Sequence, residues 1–86
     1  MKSKHTVVLS RQAEHFYKKL KGKLKTKVRG CLISLEEEAY AGKRLHGDLK
    51  ENWSLRVEKL RIIYSISEKD KIVYVIAIGS RSTVYQ

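Results

Sequence analysis

The chain has 86 residues, one cysteine and a formal net charge of +10 at pH 7, from 19 lysines and arginines against nine acidic residues. This length predicts a single domain, residues 1–86, with one hydrophobic core. One cysteine excludes an internal disulfide framework and fits a reducing compartment. No apolar run approaches the roughly 20 residues of a membrane span, and no signal peptide is recognised. We therefore expect a cytoplasmic protein with no membrane partner.

The positive charge is concentrated in the first third of the chain. Residues 1–30 contain ten basic residues and one acidic residue. Such a surface favours a nucleic acid or an acidic protein as the partner, although a solvated helix face that merely maintains solubility is the alternative. Six lysines cluster around the tip of the predicted pair of helices and are candidates for contact with a phosphate backbone: Lys18, Lys19, Lys21, Lys23, Lys25 and Lys27.

The chain begins with a short β-branched run, His5 to Leu9, which predicts an edge or second strand. Ser10 is a suitable N-cap for a first helix, and Gly22 is its expected C-cap. The apolar positions of this helix recur at helical spacing and are Ala13, Phe16, Tyr17 and Leu20.

A second helix is predicted by a longer apolar stripe of period 3.6, which ends before Gly42. Its members are Leu24, Val28, Cys31, Leu32, Leu35 and Ala39. Cys31 lies within the stripe, so it is interpreted as core packing rather than as a reactive thiol. The acidic run Glu36–Glu38 is expected on the solvated face of this helix. Residues 42–52 then form a connector with glycines at its turns.

Residues 53–66 predict a β-hairpin in which apolar and polar residues alternate. With a turn at Lys59 and Leu60, one side of the hairpin carries all the large apolar side chains: Trp53, Leu55, Val57, Ile62, Tyr64 and Ile66. Trp53 is therefore expected in the core rather than as a base-stacking platform. Arg56 and Arg61 emerge together on the other side, with Glu58 and Ile63. A four-residue loop is an alternative that preserves this division.

The last predicted strand, Ile72 to Ile78, is apolar at every position, which is typical of a central strand buried on both faces. Gly79 is expected to end it, and residues 82–85 form a short last strand or a tail. The order β-α-α-β-β-β predicts an α+β fold, with a helix hairpin packed on one face of a curved, mainly antiparallel sheet. Arg56 and Arg61 would occupy the other face.

Four residues are the candidates for chemistry: Arg56, Arg61, Arg81 and Tyr85. Arginine is a poor general base, but its guanidinium group holds a phosphate bidentately and stabilises charge that grows on phosphate oxygens. Converging arginines therefore indicate phosphodiester binding and, by extension, cleavage. The alternative is that they are ordinary strand residues paired with Glu58 or with solvent.

No cofactor is predicted, and no metal site either, because the three histidines, His5, His15 and His46, are not spaced as metal ligands. The sequence contains no P-loop, no GxSxG motif and no paired catalytic carboxylates.

The series LHGDL–x3–WSLRV–x3–RIIYSI–x5–IVYVIAIGSR–x2–VY, from Leu45 to Tyr85, resembles the RelE/ParE superfamily of toxins from type II toxin–antitoxin modules. The resemblance covers the chain from about residue 5 to its end and is most specific in this series. It implies a microbial RNase-like fold. For the RelE branch it implies cleavage of mRNA in the ribosomal decoding site, where the 2′-hydroxyl attacks the adjacent phosphate and leaves a 2′,3′-cyclic phosphate.

The resemblance also implies roles for the candidate residues. Arg61 and Arg81 would clamp the scissile phosphate, Arg56 would assist, and Tyr85 would stack on a base or help move a proton. Three basic residues of the connector are assigned to RNA binding: Lys43, Arg44 and Lys50.

The chain departs from the family at the position of the proton acceptor. A strand lysine of one RelE type is Ser54 here, and Ser80 replaces the histidine of a GHR motif. The general base is therefore open among Lys50, Lys43 and Tyr85, each of which would need a lowered pKa.

The function expected on these grounds is a ribosome-dependent mRNA endonuclease toxin, or mRNA interferase. Its partners would be mRNA on the ribosome and a cognate antitoxin that covers the basic surface with an acidic helical segment. Operator DNA would be bound only through the antitoxin complex. One alternative is a ParE-like toxin that binds DNA gyrase without cleaving anything. A third interpretation is a catalytically silent relative that binds only antitoxin and operator DNA.

Overall fold

The computed structural model describes residues 4–45 and 52–80. Its elements are β1 (Thr6–Leu9), α1 (Arg11–Lys19), α2 (Gly22–Ser34), β2 (Lys43–Arg44), β3 (Trp53–Val57), β4 (Leu60–Ser67) and β5 (Ile72–Ser80). The strand order is β1-β5-β4-β3-β2, with β1 parallel to β5 and the remaining pairs antiparallel. The predicted α+β fold is confirmed. The short strand β2, inside the connector, was not predicted.

The first helix begins as predicted, because Ser10 caps it. The Ser10 hydroxyl accepts a hydrogen bond from the Ala13 N–H at 3.1 Å and donates one to the Ile76 carbonyl at 2.6 Å. The Gln12 amide both donates to and accepts from the Ile78 backbone at 3.1 Å. Strand β1 ends at Leu9, so the part of β5 after Val75 has no neighbouring strand on that side among the described residues. The Ser10 and Gln12 side chains bond its backbone groups instead and so attach α1 to the sheet.

The predicted ends of both helices were wrong. Leu20, not Gly22, caps α1, and Gly22 begins α2 with a φ of +65° that suits glycine. Helix α2 ends at Ser34 instead of continuing through Ala39, because the Glu36 carbonyl accepts a hydrogen bond from the His5 N–H of the neighbouring chain segment at 2.8 Å. The run Glu36–Glu38 therefore lies beyond the end of the helix rather than on a helix surface. Ala39 is nevertheless buried.

Strands β3 and β4 present the predicted faces in a different register. The pairs are Trp53 with Tyr64, Leu55 with Ile62 and Val57 with Leu60, so the turn consists of Glu58 and Lys59 rather than Lys59 and Leu60. Glu58 takes the left-handed conformation, with φ of 57°. This register places Leu60 in a strand, where only 5% of it is exposed. The displacement is two residues, so every side chain stays on its predicted side.

The core lies between the helices and one face of the sheet. Its largest fully buried members are Tyr64, Leu35, Ile62, Ile78, Val28, Val73 and Val75. Cys31 is half-buried and packs against this core, and burial raises the pKa of its thiol, in agreement with the packing role. Trp53 also packs against the core, as predicted, with its ring 5.2 Å from that of Tyr40 and 6.5 Å from that of Tyr64.

Strand β5 is interior, between β1 and β4, but the central strand is β4. The prediction that β5 is buried on both faces was wrong at Tyr74, which is 43% exposed. Gly79 does not end the strand: it pairs with Arg61, and β5 continues to Ser80. The predicted last strand at residues 82–85 lies outside the described residues. No helix in the described part of the chain is long and apolar enough to cross a bilayer.

Candidate functional site

Two arginines face each other across the hairpin on the side of the sheet away from the core. Arg56 in β3 is the direct cross-strand partner of Arg61 in β4, and Arg61 is in turn paired with Gly79 in β5. Like charges directly opposite each other destabilise a sheet. Because glycine has no side chain, the space beside Arg61 above strand β5 is open. The sheet thus concentrates two guanidinium groups where an anion would relieve their repulsion.

Hydrogen bonds orient both guanidinium groups. The Arg56 Nε donates to the Glu58 carbonyl at 3.1 Å, which draws the side chain toward the hairpin turn. The Arg61 Nη1 donates to the Ser54 hydroxyl at 3.3 Å. Within the described residues, no carboxylate forms an ion pair with Arg56. The pairing of Arg56 with the Glu58 side chain, the alternative considered from the sequence, is not what the structure shows: that carboxylate pairs with Lys27.

A second row of residues extends this face toward the short strand. Lys43 in β2 is the cross-strand partner of Ser54, and Ser54 is the partner of Ile63. Cross-strand partners project to the same side of a sheet, so Lys43 and Ser54 share the side of the arginines. Ser54 is only 5% exposed, whereas Lys43 is exposed.

These two rows border one cavity of about 370 Å³, here called the arginine pocket. Its lining residues are Ala41, Gly42, Lys43, Ser54, Leu55, Arg56 and Arg61. No carboxylate is among these lining residues, so the pocket is strongly cationic. It can bind a phosphate between guanidinium groups and offers a serine hydroxyl and a lysine amine nearby.

One wall of the pocket depends on a close approach at Gly42. Its N–H donates to the Tyr64 hydroxyl at 3.0 Å, and a Cβ at this position would lie 2.5 Å from the Ser54 carbonyl oxygen. Only glycine therefore allows the chain to pack against β3 here. Burial raises the pKa of the Tyr64 phenol, while the bond from Gly42 opposes this shift.

Only some of the predicted site residues line the arginine pocket. Arg56, Arg61 and Lys43 line it together. Arg44 alternates with Lys43 along β2 and pairs with Trp53, so it lies on the other side of the strand and does not line the pocket. Three predicted site residues fall outside the described residues: Arg81, Tyr85 and Lys50.

Two contributors to the pocket, Ser54 and Gly42, were missing from the predicted site. In the sequence, Ser54 stands out only as a departure from the family pattern. Its signal in the sequence was a small polar residue on the same side of the strand as Arg56. The signal for Gly42 was a glycine at the start of the connector, immediately before Lys43 and Arg44.

A separate polar cluster is centred on Glu68, in the turn between β4 and β5. Its carboxylate accepts hydrogen bonds from Lys71 at 2.8 Å, from His5 at 3.1 Å and from the Tyr40 hydroxyl. The Lys71 and Tyr40 bonds are the main reasons why the pKa of Glu68 falls to about 2. Among the described residues, no group of three histidine, cysteine or acidic side chains could hold a metal ion. The cluster is a structural tie between three segments.

Comparison with known families identifies a match over almost the whole chain. Residues 7–85 match the model of the ParE toxin of type II toxin–antitoxin systems, parDE. No curated protein sequence matches significantly.

Solved structures of the same architecture come from several organisms. The toxin–antitoxin complex RelBE2 from Mycobacterium tuberculosis contains a chain that is 24% identical, with a TM-score of 0.81 and coverage of 91% of this chain and 99% of that chain. A mutant of the E. coli toxin RelE in the free state is 18% identical, with a TM-score of 0.77 and coverage of 94% and 87%, respectively. A YoeB/ParE toxin from Agrobacterium tumefaciens is 19% identical, with a TM-score of 0.76 and coverage of 88% and 98%. These likenesses show the fold.

Proposed function

The chain belongs to the ParE toxin family of type II toxin–antitoxin systems, and from the arginine pocket we propose that this member arrests growth by cleaving mRNA on the ribosome. The observation that carries this proposal is the direct pairing of Arg56 with Arg61 in a pocket that no carboxylate lines. A surface that only maintained solubility would have no reason to oppose two guanidinium groups across one strand pair. A phosphodiester is the ligand whose charge and geometry fit this arrangement.

The proposed reaction is an internal transfer at phosphorus. The 2′-hydroxyl of one nucleotide attacks the adjacent phosphate, and the bond from phosphorus to the 5′-oxygen breaks. The products are a 2′,3′-cyclic phosphate and a 5′-hydroxyl. Arg56 and Arg61 hold the phosphate and stabilise the charge that grows on its oxygens. Arg81 and Tyr85 complete the site in this proposal, on the strength of the family resemblance.

The proton of the 2′-hydroxyl needs an acceptor, and the leaving oxygen needs a donor. Within the arginine pocket, Lys43 is the group best suited to exchange a proton, because arginine retains its protons near neutrality and serine is a weak base. Lys50 and Tyr85 remain candidates by sequence. Ser54 binds Arg61 instead of acting on the substrate.

The cellular partners follow from the family and the charge. We propose that a cognate antitoxin covers the cationic surface with an acidic helical segment and that operator DNA is bound only through that complex. Among the compared structures, RelBE2 from M. tuberculosis and the intact RelBE from E. coli are toxin–antitoxin complexes, and a third is a RelE–RelB complex from Pyrococcus horikoshii. We place the protein in the cytoplasm, where ribosomes and mRNA are found.

A second candidate function is favoured by the family match itself, whose model describes ParE toxins. In that case the chain would bind DNA gyrase, and the arginine pocket would contact the enzyme rather than RNA. No phosphodiester bond would be cleaved.

Induction of the toxin without its antitoxin separates the two functions. Nuclease action predicts new transcript ends within coding regions and none in transcripts that ribosomes do not engage. Gyrase inhibition predicts stalled replication with DNA-damage signalling and intact mRNA. An Arg61→Ala, Arg81→Ala variant should relieve growth arrest, whereas the charge-matched control Arg11→Ala, Arg29→Ala on the helices should remain toxic. Full toxicity of the first variant would refute the assignment of the arginines.

A further inference from the structure

Two more cavities continue the arginine pocket around the end of the β3–β4 hairpin. The first, of about 200 Å³, is lined by Arg56, Lys59, Leu60 and Arg61, and so shares both arginines with the arginine pocket. The second, here called the lysine groove, measures about 410 Å³ and is lined by Lys23, Leu24, Lys27, Glu58 and Lys59. Lys59 lines both. The three cavities therefore form one surface from the open face of the sheet to α2.

Local contacts hold this surface in place. The bond from Arg56 Nε to the Glu58 carbonyl at 3.1 Å directs Arg56 toward the turn. The Lys27 ammonium pairs with the Glu58 carboxylate and so bridges α2 and the turn. Lys23 and Lys27 are four residues apart in α2 and therefore project from the same side of the helix. Leu24, half-buried, forms an apolar floor between them.

The charge along this surface is almost entirely of one sign. Its one carboxylate, that of Glu58, is paired with Lys27, and its cationic residues are Lys43, Arg61, Arg56, Lys59, Lys23 and Lys27. Within the described residues, neither Lys23 nor Lys59 forms an ion pair. A polyanion held at the arginines would therefore meet two further cations on leaving the pocket.

We propose that single-stranded RNA leaving the arginine pocket passes around the Glu58–Lys59 turn into the lysine groove, where Lys59 and Lys23 bind its phosphates. This inference rests on the proposed function, because RNA must first occupy the arginine pocket. RNA is favoured over an acidic peptide because the cations follow one another from cavity to cavity, as a phosphate backbone requires. The apolar floor at Leu24 provides a surface for a base or ribose.

The salt dependence of nucleic-acid binding gives the loss of RNA affinity expected when lysine–phosphate contacts are removed. Each lysine–phosphate contact with a single strand contributes about 0.7 to the slope of log affinity against log salt. At about 0.15 M salt this amounts to about 4-fold in affinity for each contact. A Lys23→Gln, Lys59→Gln variant should therefore bind RNA about 15-fold more weakly at that salt, with a slope reduced by about 1.4.

The test uses fluorescence anisotropy with 2′-O-methyl oligonucleotides, which the proposed reaction cannot cleave. A trinucleotide occupies the arginine pocket alone, whereas an oligonucleotide of about 12 nucleotides extends along the whole surface. The matched control is Lys4→Gln, Lys69→Gln, which removes the same charge from exposed positions that line none of the three cavities.

The lysine-groove variant should weaken binding of the longer oligonucleotide only, and the control variant should change the affinity for neither oligonucleotide by more than about 2-fold. If both variants behave alike, the lysine groove does not bind RNA, even though RNA binding at the arginine pocket stands. If the unsubstituted protein binds neither oligonucleotide, this inference fails, whereas cleavage of ribosome-bound mRNA is decided separately by the transcript-end assay.

Glu58 provides an independent test with the opposite sign. Glu58→Gln removes the carboxylate that competes with phosphate for Lys27, so affinity for the longer oligonucleotide should rise severalfold. Glu37→Gln, an exposed acidic position that lines none of these cavities, is the control. Unchanged affinity in Glu58→Gln would contradict the path around the turn.

Discussion

Gly42 links the fold to the arginine pocket, and replacing it with alanine gives the sharpest prediction for stability. The added Cβ would lie 2.5 Å from the Ser54 carbonyl oxygen and 2.6 Å from the Tyr64 hydroxyl oxygen. The first of these atoms belongs to the backbone of β3 and cannot rotate away. The chain at Gly42 must therefore move, and the 3.0 Å hydrogen bond from its N–H to Tyr64 lengthens.

Forcing an extra carbon into a closely packed site costs about 1–3 kcal/mol. In a domain of this size, each kcal/mol lowers the melting temperature by about 4–8 °C. Gly42→Ala should therefore melt at least about 4 °C below the parent. Because Gly42 lines the arginine pocket, its displacement should also weaken RNA binding.

Calorimetry on Gly42→Ala and on the control Gly30→Ala tests this reasoning. Gly30 lies inside α2, and nothing lies within 4 Å of a Cβ added there. The control should be more stable than the parent by about 0.5–1 kcal/mol, because alanine is the better helix former. A Gly42→Ala protein that melts at or above the parent's temperature would refute the claim of a sterically required glycine.

Three further predictions concern single side chains. Tyr64→Phe removes the acceptor of the Gly42 N–H and should destabilise the fold by about 1–3 kcal/mol in urea unfolding. The pKa of Glu68 is lowered from 4.5 to about 2, so its carboxylate stabilises the fold above pH 4.5, and this contribution is lost as the pH falls from there toward 2. The melting temperature of Glu68→Gln should therefore fall less than that of the parent as the pH is lowered from 4.5 toward 2. Ser54→Ala removes the 3.3 Å bond to Arg61 and should weaken RNA binding by about 2- to 10-fold in anisotropy titrations.

The faces of the hairpin could be predicted from the sequence, but its register could not. Alternation assigns each side chain to a side, and a displacement by two residues leaves that assignment unchanged. The register depends on whether Leu60 is buried and on Glu58 adopting a positive φ. The alternation pattern carries neither piece of information.

The residue at which α2 ends could not be predicted from the sequence pattern either. Leu35 and Ala39 continue the apolar spacing of the helix and are buried as that spacing predicts. The chain nevertheless leaves the helix after Ser34, because a carbonyl in the following turn bonds to the His5 N–H. A contact between segments about 30 residues apart in the sequence overrides local periodicity.

The sequence predicted correctly that Arg56 and Arg61 share one face of the sheet, because the alternation of side chains along each strand is enough to place them there. The contacts that support this pair could not be predicted from the sequence. The bond from Arg61 to Ser54 depends on the register between β3 and β4, and the close approach of Gly42 depends on the position of β2, which has only two residues. Arg81 and Tyr85 stay predictions from the family resemblance.

The central claim is that Arg56 and Arg61 jointly hold a phosphate for cleavage, and purified components test it most directly. The protein is mixed with ribosomes programmed with mRNA, and the new ends are assayed for 2′,3′-cyclic phosphate. We expect such ends from the parent and a rate at least about 10²-fold lower for Arg61→Ala. Cleavage by Arg61→Ala at the parent's rate, or no cleavage by the parent on translating ribosomes, would contradict the claim.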